Sequence, residues 1–186
     1  MHALVALGAN LPFRGDPPET TLARALKALS EEGLSLLAVS RFFATPCFPA
    51  GAGPDYVNAA AMLTVDAESD ATAILAVLHR VEERFGRRRD TRWGMRTLDI
   101  DLLALGDSVL PDGDAQDEWR NLSPDRQIGS APDRLILPHP RLQDRAFVLV
   151  PLAEVAPDWV HPRTGQTVAA MLAALPAADV AAVKPL

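Results

Sequence analysis

Two residue types are scarce in this sequence, and each scarcity excludes a kind of chemistry. Cys47 is the single cysteine among 186 residues, so no disulfide can form within the chain, which fits a reducing compartment. Of the 18 basic residues only Lys27 and Lys184 are lysines. Any anion bound here must therefore be held mainly by arginine guanidinium groups, whose planar forks suit phosphate oxygens.

Long apolar runs are also missing. No stretch reaches the roughly 18 uncharged apolar residues of a membrane-spanning helix, and the first residues lack the basic start and apolar run of a signal peptide. The formal net charge of -6 argues against general nucleic-acid binding. We expect a cytoplasmic monomer that acts on small molecules, with no membrane and no nucleic-acid partner.

The best-known phosphate-binding motifs are absent as well. The chain contains no G-x-x-x-x-G-K-[ST] loop, and it has neither the glycine-rich loop nor the H-R-D motif of protein kinases. No Ser-His-Asp or Cys-His arrangement can be recognised. If the protein handles phosphates, it must do so with a different set of residues.

The apolar pattern predicts an α+β protein. Strands are predicted at 2–7, 34–43, 56–65 and 97–105, one helix from Thr20 or Thr21 to 33, and a second from an Asp70 cap to 86. This βαββαβ order is the ferredoxin-like pattern, an antiparallel sheet with helices on one face. Additional C-terminal helices at 147–156 and 167–175 are expected to cover the other face and give three αβα layers.

We expect one domain over residues 1–186, as the length suggests. Residues 106–134 are polar, rich in Asp and Pro, and show little periodicity. They are predicted to form an inserted, mobile loop without regular structure.

Asp99 and Asp101 are the first candidate functional residues. Alternate side chains of a strand face opposite ways, so these two carboxylates share one face while Leu98, Ile100 and Leu102 share the other. Carboxylates so close repel each other and lose hydration, and a divalent cation relieves both penalties. Mg2+ binds carboxylate oxygens together with substrate phosphates, so the pattern favours a metal site, although two aspartates on a solvent-facing edge strand remain the alternative.

A basic segment precedes these aspartates directly. Residues 86–96 contain five arginines together with Trp93 and two glycines. Arginine forks neutralise phosphate charge, and metal ions held by aspartates bridge phosphate oxygens, so the combination predicts a polyphosphate site covered by a flap. His139, clamped between Pro138 and Pro140 in extended backbone, is a third candidate, either aimed at a ligand or part of a rigid surface turn.

Several short segments together resemble the 6-hydroxymethyl-7,8-dihydropterin pyrophosphokinase family of folate biosynthesis. The resemblance covers nearly the whole chain except 106–134. It lies in LGANL at 7–11, TP at 45–46, YVNAA at 56–60, RWGMRTLDID at 92–101, PHPR at 138–141 and RAFV at 145–148. Two departures stand out, because Cys47 and Met95 occupy positions where the family commonly has proline.

The resemblance implies a role for each matching residue. Asp99 and Asp101 would hold two Mg2+ ions that bridge the phosphates of the co-substrate ATP, with Arg87 and Arg96 also catalytic. The ATP side would comprise Glu82, Arg87, Arg89, Trp93, Arg96, His139 and Arg145. The pterin side would comprise Thr45, Pro46, Phe48, Tyr56, Asn58 and Phe147, with Tyr56 and Phe147 stacking on the two faces of the heterocycle.

Two other interpretations stay open at the level of sequence. A palm-like nucleotidyltransferase can also combine a ferredoxin-like sheet with two metal-binding aspartates, and it would release pyrophosphate instead of AMP. An RNA-binding module could use 87–96 as its basic patch, but the acidic net charge and the lack of an aromatic-basic strand argue against it.

Replacing either predicted metal ligand tests the shared strand face. Asp99→Ala or Asp101→Ala should lower turnover by orders of magnitude at saturating Mg2+ while leaving the fold intact, because only the charge that holds metal is removed. Steady-state rates and circular dichroism spectra of both variants check this. Near-normal turnover in either variant would exclude the metal assignment.

Overall fold

The structure, a computed structural model, describes residues 1–47, 53–87, 96–123, 126 and 129–186. Its strands are β1 (His2–Ala9), β2 (Ser35–Val39), β3 (Phe43–Thr45), β4 (Tyr56–Thr64), β5 (Asp99–Leu105) and β6 (Lys184–Pro185). The helices within these residues include α1 (Pro18–Glu31), α2 (Ala71–Arg84), α3 (Gly113–Arg120), α4 (Ala146–Val155), α5 (Val168–Ala173) and α6 (Ala177–Ala181), with a 3-10 turn at Leu142–Asp144.

The six strands form one antiparallel sheet. Strand β1 lies between β5 and β4, and β4 pairs on its other side with both β2 and β3. The short β6 pairs with β3, which gives the order β5-β1-β4-β3-β6 with β2 beside β4. The predicted ferredoxin-like α+β fold is confirmed.

Helices cover both faces of this sheet, because alternate residues of β1 are apolar on each side. Val5 and Leu7 contribute to a core with buried residues of α1 and α2, including Leu29 and Leu78. On the opposite face Leu4 belongs to a second core with residues of α4 and α5. The predicted third layer of C-terminal helices is therefore present.

The predicted element boundaries were partly wrong at the ends. Helix α1 begins at Pro18 after Pro17 and not at a threonine cap, since proline suits the first helical turn, where its missing N–H is not needed. The predicted second strand is two strands, β2 and β3. The predicted cap of α2 is present, with Asp70 Oδ1 accepting a hydrogen bond from Thr72 N at 3.1 Å.

The prediction that 106–134 lacks regular structure was wrong. Asp112 caps α3 by accepting a hydrogen bond from Ala115 N at 2.9 Å, and Leu110 and Leu137 exchange backbone hydrogen bonds of 2.9 and 3.1 Å. No apolar stripe marks this helix in the sequence, because its fully buried side chain is the polar Gln116. In the part of the chain that the structure describes, no helix has the length and apolar character needed to cross a bilayer.

Candidate active site

A cavity of about 550 Å³ opens on the sheet face that carries α4 and α5. These helices cover the end of that face near Leu4, and the other end, near Gly8, is left open. Many of the residues predicted from sequence line this one cavity. They are Thr45, Pro46, Tyr56, Asn58, Arg96, Asp99, Asp101, His139, Arg145 and Phe147.

The other predicted residues are Phe48, Arg89, Trp93, Arg87 and Glu82. Phe48, Arg89 and Trp93, and with them most of the predicted flap, are outside the described residues. Arg87 pairs with Asp99, which lines the cavity, whereas Glu82 is only 1% exposed and does not line it.

Small residues of β1 form the floor of the cavity between the polar residues of its neighbours. In the sheet register Gly8 stands between Asp99 of β5 and Asn58 of β4, and Ala6 stands beside Asp101. The two carboxylates share this face, as strand alternation predicts. Because Gly8 and Ala6 project little above the sheet, a ligand can approach the carboxylates and the Asn58 amide from the same side.

Asp99 carries the strongest electrostatic constraint of the site. Burial raises the pKa of its carboxyl group, nearby Asp101 raises the pKa further, and the guanidinium groups of Arg96 and Arg87 counteract both. Arg87 approaches Asp99 Oδ1 at 2.8 Å, and Arg96 pairs with the other carboxylate oxygen. The ionised form of Asp99 therefore depends on cations supplied at this position.

Glu82 contacts both β5 and Arg87. Its Oε1 accepts a hydrogen bond from the Ile100 amide at 2.7 Å on the outer edge of β5, and it also pairs with Arg87. Burial raises the pKa of Glu82 to about 7, and its Oε2 has no hydrogen-bond partner among the described residues. Glu82 thus links the backbone of β5 to the arginine that contacts Asp99.

His139 is held as a neutral hydrogen-bond donor. Its amide donates to Leu103 O at 2.8 Å, and its Nδ1 accepts a hydrogen bond from the Arg141 amide at 3.1 Å. Burial, with Arg145 and Arg141 adding to it, lowers the pKa of His139 to about 3. Since Nδ1 is an acceptor in a neutral ring, the proton must reside on Nε2, which can donate to an anion.

Arg145 brings a cationic charge that Asp101, Asp99 and Asp144 attract without direct contact. It forms no ion pair with any described carboxylate, and its Cζ lies 5.6 Å from the ring centroid of Phe147. Arg145 immediately precedes α4, whose N-terminal amides also favour negative charge. An anion bound in the cavity would satisfy both groups.

The cavity lining also contains aromatic and amide groups. Tyr56 is half-buried, and Phe147 is 41% exposed at the cavity. Asn58 Nδ2 donates to Thr45 Oγ1 at 2.6 Å, which fixes the amide plane. Two rings and an oriented amide can recognise a flat heterocycle by its faces and its polar edge.

Two residues near the site were not assigned a role from the sequence. Arg141 fixes the tautomer of His139 through its amide, a role that only backbone geometry reveals. Asn10 is buried, and its side chain accepts from Arg96 N at 2.9 Å and donates to Pro54 O at 3.2 Å. Asn10 thus joins the segment at Arg96 to the segment at Pro54. Its position just after β1, within the LGANL motif, was the sequence feature that could have identified it.

The fold is shared with solved structures of other proteins. The crystal structure of Plasmodium falciparum HPPK-DHPS wild type aligns with a TM-score of 0.62 and 13% sequence identity, covering 92% of this chain and 44% of that chain. A crystal structure of HPPK-DHPS in complex with substrates gives a TM-score of 0.64 at 13% identity, covering 92% of this chain and 43% of that chain. This chain thus spans less than half the length of those proteins. The shared fold and the cavity define a ferredoxin-like protein whose site, at one end of the sheet, contains both acidic and cationic residues.

Sequence comparison names the family. The family model for 7,8-dihydro-6-hydroxymethylpterin-pyrophosphokinase (HPPK) matches residues 4–157, and the chain belongs to this family. A 2-amino-4-hydroxy-6-hydroxymethyldihydropteridine pyrophosphokinase from Synechocystis is 39% identical over 168 residues, covering 89% of this chain and 72% of that protein. The Methylorubrum extorquens protein of the same name is 35% identical over 175 residues, covering 94% and 93%.

Adding one methyl group at Gly8 tests the geometry of the amide wall. A Cβ there would stand 2.9 Å from Asn58 Oδ1, so Gly8→Ala must displace the amide and weaken its bond to Thr45. We expect the KM for the pterin to rise roughly fivefold to tenfold, as for loss of one hydrogen bond, with little change in the KM for ATP. Steady-state kinetics with each substrate varied in turn measures this.

The matched control is Gly129→Ala, because a Cβ at Gly129 meets no atom within 4 Å. An unchanged pterin KM in Gly8→Ala would show that the position of Asn58 does not matter for binding.

The raised pKa of Glu82 predicts a pH-dependent stability in the metal-free protein. Between the ordinary value of 4.5 and about 7 the folded protein binds a proton that the unfolded chain has lost. The free energy of unfolding should therefore fall as pH rises through this interval, and Glu82→Gln should remove that part of the decline. Denaturant titrations at about pH 5 and about pH 8 measure the slope.

Glu83, the exposed neighbour of Glu82, provides the comparison. Glu83→Gln should show the same fall in the free energy of unfolding with pH as the parent protein. The same slope in Glu82→Gln would mean that Glu82 titrates normally despite its burial.

Proposed function

We propose that this chain transfers pyrophosphate from ATP to 6-hydroxymethyl-7,8-dihydropterin, giving AMP and the pterin diphosphate in folate biosynthesis. One observation carries the proposal: a single cavity of about 550 Å³ contains two carboxylates, several cationic or donor groups and two aromatic rings. Membership of the HPPK family supports the same reaction. We further propose that the protein works in the cytoplasm as a monomer.

The lining of the cavity suits both substrates. Arg96, Arg145 and His139 can bind a phosphate chain beside the carboxylates. Tyr56, Phe147 and Asn58 offer two rings and an amide, on which a pterin can stack and bond through its polar edge. We propose that Arg89 and Trp93 join the ATP side and Phe48 the pterin side, as the resemblance implies.

The residues present fit a magnesium site completed by substrate. Asp99 and Asp101 face the same cavity, and the buried Asp99 Oδ1 has the Arg87 guanidinium group at 2.8 Å as its cationic partner. Within the described residues no cluster of three or more His, Cys, Asp or Glu could hold a metal alone. This suits Mg2+, which commonly takes one or two carboxylates with phosphate oxygens and water, and we propose that Asp99 and Asp101 hold two such ions. When bound, the metal ions supply positive charge that neutralises the triphosphate and orients it.

Substrate binding requires an exchange of ion-pair partners around Asp99. Arg87 and Arg96 both pair with this carboxylate. A phosphate chain offers these arginines other anions, so their guanidinium groups can turn towards phosphate and release Asp99 for cation binding. The arginines therefore protect the buried carboxylate before ATP arrives and stabilise phosphate charge afterwards.

The chemical step is in-line attack of the pterin hydroxyl oxygen on the β-phosphorus of ATP. The new O–P bond forms as the bond from the β-phosphorus to the oxygen of the α-phosphate breaks, and AMP leaves. The arginines and the Nε2–H of His139 can stabilise charge on the phosphate oxygens. The hydroxyl proton can leave late in a loose transition state, so a strong base is not needed.

Product analysis tests the proposal directly. The protein is incubated with Mg-ATP and hydroxymethyl-dihydropterin, free of adenylate kinase, and nucleotides are separated by chromatography at an early time point. AMP should appear one-for-one with pterin diphosphate. ADP as the first product would indicate an ordinary kinase, and free pyrophosphate would indicate the nucleotidyltransferase alternative; either result contradicts the proposal. The Asp101→Ala variant is the control for contaminating ATP hydrolysis.

A further inference from the structure

The segment 106–134 reaches the active site through one buried side chain. Gln116 of α3 is fully buried, and its Nε2 donates to the carbonyl oxygen of Pro138 at 3.1 Å. Pro138 directly precedes His139, which lines the cavity. The backbone of this histidine is therefore held from one side by β5, through Leu103 O, and from the other by α3.

The amide of Gln116 is fixed at both ends. Its Oε1 accepts a hydrogen bond from Arg120 Nε at 3.3 Å, one turn further along α3, while its Nε2 donates to Pro138. An arginine can only donate and a carbonyl can only accept, so this pair of partners allows a single orientation of the amide. Because the amide is buried, loss of either partner would leave a polar group without compensation.

Helix α3 is itself anchored to the C-terminal part of the chain. Asp117 accepts hydrogen bonds from Arg163 Nε at 3.2 Å and from Arg120 at 2.5 Å. The guanidinium group of Arg163 lies so close to the helix that a Cβ at Gly113 would stand 2.7 Å from one of its nitrogens. The helix that carries Gln116 is thus docked on the protein by specific contacts.

We propose that Gln116 is a positioning residue that keeps His139 in place for phosphate binding, so that helix α3 supports the active site. The inference rests on the proposed function for its kinetic consequence, but its structural premise does not. Leu110, which exchanges backbone hydrogen bonds with Leu137, is a second contact from the same segment to the residues just before His139. The positioning of His139 by Gln116 serves the recognition of the ATP phosphates.

The first test is Gln116→Leu, which introduces an apolar side chain of similar size and removes both hydrogen bonds of the Gln116 amide. We expect kcat/KM for ATP to fall about tenfold, as for loss of a buried hydrogen bond, while the KM for the pterin changes little. Glu118→Gln is the matched control, because Glu118 lies on the same helix and is exposed. If Gln116→Leu does not fold, Arg163→Met, which loosens α3 from its surface side, should give a smaller loss in the same parameter.

A double-mutant cycle separates positioning from a general structural effect. If Gln116 acts through His139, Gln116→Leu should cause no further loss of kcat/KM for ATP in a His139→Ala background. A loss that persists in full in that background would overturn the proposal.

A ligand-free measurement separates this inference from the proposed function. Hydrogen exchange at the His139 amide should be faster in Gln116→Leu than in Glu118→Gln, since the neighbouring carbonyl is no longer held. Unchanged exchange at His139 overturns the proposal whatever the activity. If the parent protein made no AMP, the proposed reaction would fail, and the exchange result would still decide whether Gln116 holds His139.

Discussion

The buried carboxylate of Asp99 is the constraint on which the site depends. It lies on β5 close to Asp101, and both its burial and the charge of Asp101 disfavour its ionised form. Arg87 and Arg96 offset that cost, and Glu82 in turn pairs with Arg87 at the outer edge of β5. Because Arg87 contacts both carboxylates and Asp99 contacts both arginines, these residues act as one electrostatic unit.

The shape of the sheet decides where this unit can meet a substrate. Apolar residues at one end of the face around Leu4 bind α4 and α5, whereas Gly8 and Ala6 leave the other end shallow and open. The same helix α4 that closes the core begins beside the cavity and places Arg145 and Phe147 in its wall. Stability and function are therefore served by opposite ends of one surface.

Sequence reasoning succeeded where one residue pattern determines one geometry. Strand alternation was enough to place Asp99 and Asp101 on a common face, and apolar periodicity was enough to find α2 and its Asp70 cap. It failed for α3, because a helix docked through Gln116 and an Asp117–Arg163 pair has no apolar stripe to detect. The resemblance assigned Glu82 to the ATP side, and its buried contact with the Ile100 amide at the edge of β5 depends on tertiary packing that no local pattern encodes.

The shortest strand has a consequence for the behaviour of the protein in concentrated solution. Strand β6 pairs with Phe43 and Ala44 of β3, the strand that continues to Thr45 at the cavity wall. An uncovered β3 would offer unpaired amides to any passing extended chain, and such edges promote aggregation. Strand β6 ends the sheet on this side with only two residues, Lys184 and Pro185. Pro185 has no N–H to donate to a further strand. The rim of the cavity is thereby protected against edge-to-edge association between molecules.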